Sequence, residues 1–476
     1  MWRDSHPQEG NGRRDLMSVA ANVASRLAEA VGAKRVVSAP EELAGYAIDS
    51  LAPCVIARPG SAEETAEVVR FAISETLAVL PMGSRSKCEI GMAPERYDLA
   101  LDMTGLRTIA HYDPGDLTLS VDAGMPLREL EGLLKQKRQF LPLAVPCFES
   151  TTVGGAIASG IDSALRMQYG SARDFVIGAE FVDGTGQLCK SGGRVVKNVT
   201  GYDLHKLLIG SLGTLGVMTR VNFRTFPLAA ACGGHLACFE KMEAALDYKG
   251  KVEKTGLPLA NLEVFDPTVV KMIRAILEGS GEAIATELQR EQWFAYCSFE
   301  GNEEVVGRIA RELETTAQSA GVSDSRVLQK AEDEALGGML RESFEWLRWA
   351  SPATMICRLA LPDVRAKTLE ELMQVTQATG KRAGLLVRAA NIVYFAVFVE
   401  SEDAAASGDL AKIANDTRSI ARVVGGAVTL LHAPLEVRTR VAETATARVD
   451  LNLQRRVKQA FDPSGVFVPG RVVGGL

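Results

Sequence analysis

Four segments of this chain set glycine beside small hydroxyl or cationic residues, at spacings suited to gripping an anion. The first is Pro81-Met82-Gly83-Ser84-Arg85-Ser86-Lys87, at the end of a strand-like run. A turn of this kind can aim several backbone N–H groups and hydroxyls at one phosphate. Pro81, Gly83, Ser84 and Ser86 supply the turn and the hydroxyls. Arg85 and Lys87 place cations next to it. The second is Thr151-Thr152-Val153-Gly154-Gly155, continued by Ser159-Gly160. The third contains Lys197, Asn198, Gly201 and Tyr202, and the fourth Gly213, Thr214, Gly216 and Val217. Glycine lacks a β-carbon, so a backbone can come close to a flat or phosphorylated ligand. The last three segments fall within about seventy residues, which points to one extended ligand. Each also has an ordinary structural reading: a strand-end turn, a glycine turn before a helix, or a satisfied polar network.

Regular elements must hold these segments in place. Residues 18–31 carry Val19, Val23 and Leu27 at helical spacing. Val55-Ile56-Ala57 reads as a strand, and Ser61 with Glu64 as a capping box. Val68, Val69, Ala72 and Ile73 then form the apolar face of a helix, and residues 77–80 the next strand. Leu117, Leu119, Val121 and Ala123 alternate as in a half-buried strand. Pro126 opens a helix carrying Leu127, Leu130, Leu133 and Leu134. Asp183-Gly184-Thr185-Gly186 joins two strands as a hairpin, residues 204–209 read as a short helix, and a strand runs from Val217 towards Pro227.

Beyond Pro227 the pattern changes. Strand-like runs at 293–299, 354–360, 384–388 and 392–399 are interleaved with helices near 241–254, 302–319, 364–379 and 405–422. From 354 to 431 the order is β-α-β-β-α-β, which predicts an antiparallel sheet with helices on one face. The expected organisation is a polar, disordered 1–17, a ligand-binding domain over 18–228, a cap domain over 229–435, and a helix and tail over 436–476 that return to the first domain. The fold class is α+β.

The 476 residues are too many for one ordinary core. A net charge of −6 and the absence of a long basic cluster argue against nucleic acid. No apolar run approaches the length of a membrane span. Arg13-Arg14 is not followed by an apolar core, so no export signal is expected. Eight scattered cysteines form no CxxC pair, which leaves neither a structural zinc site nor an iron–sulfur cluster in this chain. They read as reduced thiols of a cytoplasmic protein.

Taken together, the four segments resemble the PCMH-type FAD-binding domain of the vanillyl-alcohol oxidase type. The resemblance extends to the FAD-binding subunit of glycolate oxidase and to the D-2-hydroxy-acid dehydrogenases. In that family a Pro-x-Gly-Gly-Gly-Thr loop wraps the FAD diphosphate where Pro81 to Ser86 stands here, with two glycines replaced. Tyr169-Gly170-Ser171-Ala172-Arg173 matches the element beside the flavin, which adds Gly170 and Arg173 to the expected contacts. The tail Asp462-Pro463-Ser464-Gly465 through Pro469-Gly470-Arg471 matches the family tail, with Val468 where Asn is usual. The resemblance implies a two-lobed FAD domain under an antiparallel cap, and FAD bound non-covalently, since no histidine stands in the Pro81 loop to tether it. It implies oxidation of a 2-hydroxy acid such as glycolate or D-lactate; no metal is expected, because the sequence offers no cluster of metal ligands.

The family's His-x-Gly-Asp-Gly-Asn-x-His motif is missing, and none of the five histidines lies in such a context. No catalytic base is therefore named. Arg358 and Arg388 are candidate clamps for a substrate carboxylate, and His432 a candidate at the end of the last cap strand; each also reads as an ordinary surface or core residue. The missing motif favours a subunit that works with a flavoprotein and an iron–sulfur partner, in a complex that could hold the chain at the membrane periphery. The alternatives are an autonomous FAD-linked dehydrogenase and a non-catalytic flavin-carrying scaffold.

Overall fold

The structure, a computed structural model, describes the chain apart from residues 1–21, 50, 195–200, 278–287, 289, 351–352, 400–403, 444–450 and 473–476. The expectation for residues 1–17 therefore lies outside the described residues. The first sheet has the order β1-β2-β4-β3, built from β1 (Val36–Val37), β2 (Val55–Ala57), β3 (Val79–Met82) and β4 (Leu99–Asp102). Both β2 and β3 run parallel to β4. β2 and β3 thus run parallel on either side of β4, and helix α1 (Ala62–Ser74) makes the crossover from one to the other. Ser61 accepts the Glu64 N–H, while the Glu64 carboxylate takes the N–H of Gly60 rather than of Ser61. The reciprocal cap is thus made one residue early. The strand expected at 77–80 lies two residues later, so Pro81 and Met82 are strand and the anion-suited loop starts at Gly83.

The second sheet is antiparallel, in the order β5-β6-β10-β8-β9: β5 (Ile109–Asp113), β6 (Thr118–Asp122), β8 (Val176–Val182), β9 (Leu188–Gly192) and β10 (Val217–Arg224). Between these, β7 (Gln139–Phe140) and β11 (Phe226–Pro227) form a small ribbon. Helices α2 (Leu127–Lys135) and α3 (Val153–Ser159) pack on this sheet, and Leu127, Leu130, Leu134, Val153 and Ile157 join its core. The half-buried reading of β6 is corrected, because all five residues are buried. Its polar face is covered by a network in which Arg220 Nε donates to Asp122 and Asn222 Nδ2 donates to the Gly193 carbonyl.

The cap is one eight-stranded antiparallel sheet, built from β12 (Ala231–Phe239), β13 (Leu259–Phe265), β14 (Trp293–Gly301), β15 (Asp324–Leu328), β16 (Ala353–Ala360), β17 (Arg382–Arg388), β18 (Ile392–Val399) and β19 (Ala427–His432). Its order is β15-β12-β14-β13-β17-β18-β16-β19. The β-α-β-β-α-β unit expected from 354 is present, and a second such unit precedes it with the same internal strand order. The two join edge to edge through β13 and β17. Helices α4 (Met242–Thr255), α6 (Glu303–Ser319), α8 (Ala366–Gln377) and α9 (Ala404–Val423) cover one face. The opposite face carries α5 (Pro267–Leu277) and α7 (Lys330–Ala350), so both faces of the sheet are dry. That explains the unbroken apolar run of β18, whose eight residues are all buried.

α10 (Leu451–Phe461) leads the tail back to the first sheet, where Phe467 pairs with Val79. The buried Asp462 fixes that return by accepting the N–H groups of Val466 and Phe467 and the Lys458 ammonium. Among the described residues no helix is long and apolar enough to cross a membrane.

Asp266 caps α5 by accepting the Val269 N–H at 2.9 Å, and burial pushes its carboxyl up to about 7. An unfolded aspartate titrates near 3.8. Between these values the folded chain holds the proton more tightly, so this contribution is present at low pH and is lost as pH rises to about 7. Asp266→Asn keeps an acceptor and cannot ionise. Urea unfolding at pH 5 and pH 8 should show a smaller difference for the variant than for the wild type, with the variant more stable at pH 8. An unchanged pH dependence would contradict the assignment.

Candidate active site

The loop from Gly83 to Lys87 faces α3 across a groove. Pro81, Gly83, Ser84, Arg85, Ser86 and Lys87 line one side, with Thr152, Gly155 and Ser159 opposite. The loop is pressed tightly onto α3: a β-carbon at Gly83 would lie 2.1 Å from Thr152 Oγ1. Gly155 points into the groove, where a β-carbon would meet only Thr152 Oγ1, at 3.1 Å. The backbone amides of Ser84, Arg85 and Ser86 donate to no acceptor among the described residues. Three consecutive amides left open beside a groove form a ready cradle for an anion. Arg85 adopts the left-handed conformation, φ 68°, which favours glycine. Its guanidinium lies 4.1 Å from the centre of the Tyr46 ring.

Other expected residues have different places. Lys87 is buried; its ammonium donates to the Pro146 carbonyl at 2.6 Å and to Thr151 Oγ1 at 3.3 Å. The expectation that it offers its charge to a diphosphate is corrected, because the amine ties the loop to the second lobe. Thr151 belongs to the same tie, donating to the Cys147 carbonyl at 2.8 Å. Gly154, Gly160, Gly213, Thr214, Gly216 and Val217 pack behind the groove. A β-carbon at Gly160 would lie 2.7 Å from Gly210 Cα, and one at Gly213 3.3 Å from the Pro81 ring. Gly170 and Arg173 stand in a turn away from the groove lining, where Arg173 donates to the Lys206 carbonyl. Gly201 has open space around it and Tyr202 is 89% exposed. Lys197 and Asn198 lie outside the described residues.

Ser86 and Lys87 also line an enclosed cavity between the first domain and the cap, together with Phe344, Arg388, Tyr394 and His432. Arg388 is buried. Its Nε donates to Glu263 Oε1 at 2.6 Å, and its Nη1 lies 3.4 Å from Tyr394 Oη. Burial works against its charge, but Glu263, Tyr394 and Asp162 outweigh that and hold it above its usual value. Arg358 is turned aside from the cavity, bonded to the Asp162 carboxylate, which Arg166 also contacts. A free clamp at Arg358 is therefore corrected to an internal ion pair.

Sequence reading missed Glu89, Phe344 and Tyr394 as lining residues. Tyr394 is the only polar side chain in the apolar strand β18, which was the available signal; burial pushes its hydroxyl up. Glu342 on α7 accepts the Cys147 N–H at 2.7 Å and so pins the cap to the first domain beside the cavity.

Two family models divide this architecture. Residues 53–192 match the FAD binding domain, and residues 235–472 match the FAD linked oxidases, C-terminal domain. The chain belongs to the FAD-linked oxidases. Glycolate oxidase subunit GlcE of Escherichia coli is 33% identical over 249 residues, covering 49% of this chain and 70% of that protein. A D-lactate dehydrogenase of Archaeoglobus fulgidus is 26% identical, covering 89% of this chain and 92% of its own. Glycolate oxidase subunit GlcD of Bacillus subtilis is 23% identical, covering 88% and 89%. In fold, the chain superimposes on p-cresol methylhydroxylase with a TM-score of 0.75 at 16% identity, covering 95% and 96% of the two chains. FAD is the cofactor of this family, and a groove with three open amides fits its diphosphate.

Proposed function

We propose that the chain is an FAD-dependent oxidoreductase for a small 2-hydroxy acid such as glycolate or D-lactate. The observation that carries this reading is the continuity of the open-amide groove with the enclosed cavity, through Ser86 and Lys87, under a buried arginine. The Ser84, Arg85 and Ser86 amides would hold the FAD diphosphate, and Gly155 would give it room. Bound FAD supplies a two-electron acceptor to a substrate in the cavity. Arg388 is held charged and rigid by Glu263, and its Nη2 makes no bond to a described residue, so it can take a substrate carboxylate. Phe344 stacks on Tyr394, with ring centres 5.4 Å apart, and keeps water from that side.

Binding is expected to be non-covalent. Yellow colour should survive gel filtration, and acid should release all of the FAD. Anaerobic mixing with glycolate, D-lactate or D-2-hydroxyglutarate should then bleach the flavin. A coloured protein that none of these acids bleaches would overturn the substrate class.

A second reading concerns electron delivery. Two relatives are named as subunits. This supports a multi-subunit complex; in this reading the chain carries out substrate oxidation and flavoprotein and iron–sulfur partners accept the electrons. Sustained turnover of the isolated chain should then require an artificial acceptor.

Arg85 tests the grip on the diphosphate. Arg85→Gly removes a charge that makes no hydrogen bond or ion pair with the described residues; the lost contact with the Tyr46 ring, about 0.5–1 kcal/mol, is offset by relief of a left-handed backbone that costs about 1 kcal/mol. The apoprotein should be no less stable, and FAD should bind about tenfold more weakly, the loss of one charge-assisted contact. Fluorescence quenching on reconstitution measures this. Unchanged affinity would take Arg85 out of the cofactor site.

A further inference from the structure

His432 ends β19, and Glu89 stands on the loop that leaves the Ser84–Ser86 turn. His432 Nδ1 lies 2.9 Å from Glu89 Oε2, within reach although not aligned as a hydrogen bond. Contacts of this kind often tighten only when substrate binds. Two cavities meet here. The enclosed one contains Arg388 and Tyr394. The other is a solvent-open cleft lined by Tyr46, Asp49 and Arg438. Among the described residues, His432 and Glu89 are the two that line both.

We propose that His432 is the proton acceptor of the oxidation, and that Glu89 orients it and passes the proton to the open cleft. The inference rests on the 2-hydroxy-acid reading above. With Nδ1 turned to Glu89, Nε2 is the ring nitrogen left for substrate. Oxidation to a 2-oxo acid breaks the O–H and C2–H bonds. The hydroxyl proton goes to His432 Nε2, the O–H electron pair becomes the second C–O bond, and the C2 hydrogen leaves as hydride to bound FAD. The other basic groups of the cavity are poorly placed for this task. The Lys87 amine is bonded to Pro146 and Thr151, the Tyr394 hydroxyl is buried against Arg388, and the Glu345 carboxylate is engaged by the Cys147 thiol. Glu89 is a positioning residue in this scheme.

The test uses the FAD-loaded chain. His432→Gln should bleach about 10²- to 10⁴-fold more slowly in single turnover, the usual range for losing a general base. Its affinity for oxalate, a non-oxidisable analogue read by calorimetry, should change less than about threefold, since ground-state binding is retained. His432→Gly should be accelerated by added imidazole, which can enter through the open cleft; a merely structural histidine would give no such rescue. Glu89→Gln should lose about tenfold, as a residue acting through another. Independently of turnover, oxalate should protect His432 from diethyl pyrocarbonate, read by peptide mass.

A wild-type rate in His432→Gln would overturn the proposal. So would a His432→Gly rate that imidazole does not raise, or labelling of His432 that saturating oxalate leaves unchanged. Wild-type flavin that no 2-hydroxy acid bleaches would instead remove the reading on which the proposal rests.

Discussion

Gly155→Val is expected to purify folded and colourless. Gly155 sits within α3, a regular helix with a left-handed Gly160 at its end, so a side chain is compatible with the backbone. What a side chain would fill is the groove facing the Ser84–Ser86 amides. Overpacking of about 1–3 kcal/mol translates into a loss of FAD affinity of about 5- to 150-fold. Gly83→Ala makes the contrast. Its new methyl would sit 2.1 Å from Thr152 Oγ1, inside the protein's own packing, so it should lower apoprotein stability as well as FAD binding. The flavin-to-protein absorbance ratio after gel filtration, with thermal melts of the apoproteins, separates the two effects. A folded Gly155→Val protein with wild-type FAD content would remove this groove from the cofactor site.

The largest stability effect is expected at the seam of the cap. Glu263 on β13 and Arg388 on β17 face each other where the two β-α-β-β-α-β units join. Their side chains are 0% and 5% exposed; Arg388 Nε bonds Glu263 Oε1, and Glu263 Oε2 has no hydrogen-bond partner among the described residues. Arg388→Met would leave a buried carboxylate with no cation, a cost of about 3–5 kcal/mol. Replacing both residues by methionine should recover most of that cost, because a dry pair can be exchanged for apolar packing at little net loss. A double-mutant cycle in urea measures the coupling. If Arg388→Met cost under about 1 kcal/mol, the pair would not be the buried bond that joins the two halves.

How far the sequence could be read depended on whether a signal was local. The cap helices α4, α6, α8 and α9 and the strands β14, β16, β17 and β18 stand close to where periodicity predicts them, whereas α5 and α7 were not predicted. The strand β12, Ala-Cys-Gly-Gly-His-Leu-Ala-Cys-Phe, was missed because Gly233-Gly234 reads as a loop. Gly234 is required there, since a β-carbon would lie 2.5 Å from Asp333 Oδ1 on α7. That constraint comes from a helix nearly a hundred residues away. Missing β12, β13 and β15 hid the first cap unit, and with it the repeat.

The groove was legible for a similar reason. Pro81 to Lys87 and Thr152 to Ser159 are short contiguous runs whose glycines and hydroxyls advertise close approach. Local sequence could not show which charges are already neutralised. Arg358 meets Asp162 across 196 positions, and Arg388 meets Glu263 across 125. Lys87 reads as a free cation until Pro146 is folded against it. Glu89 and Tyr394 gain their place only when the cap closes over the loop.

A crystal structure of the chain grown with FAD and oxalate tests the central claim most directly. The account predicts the FAD diphosphate on the amides of Ser84, Arg85 and Ser86, against Gly155. It also predicts oxalate in the cavity under the cap, with one carboxylate on Arg388. A diphosphate bound elsewhere, for instance in the polar cleft of the second sheet beside His111 and Arg220, would contradict it.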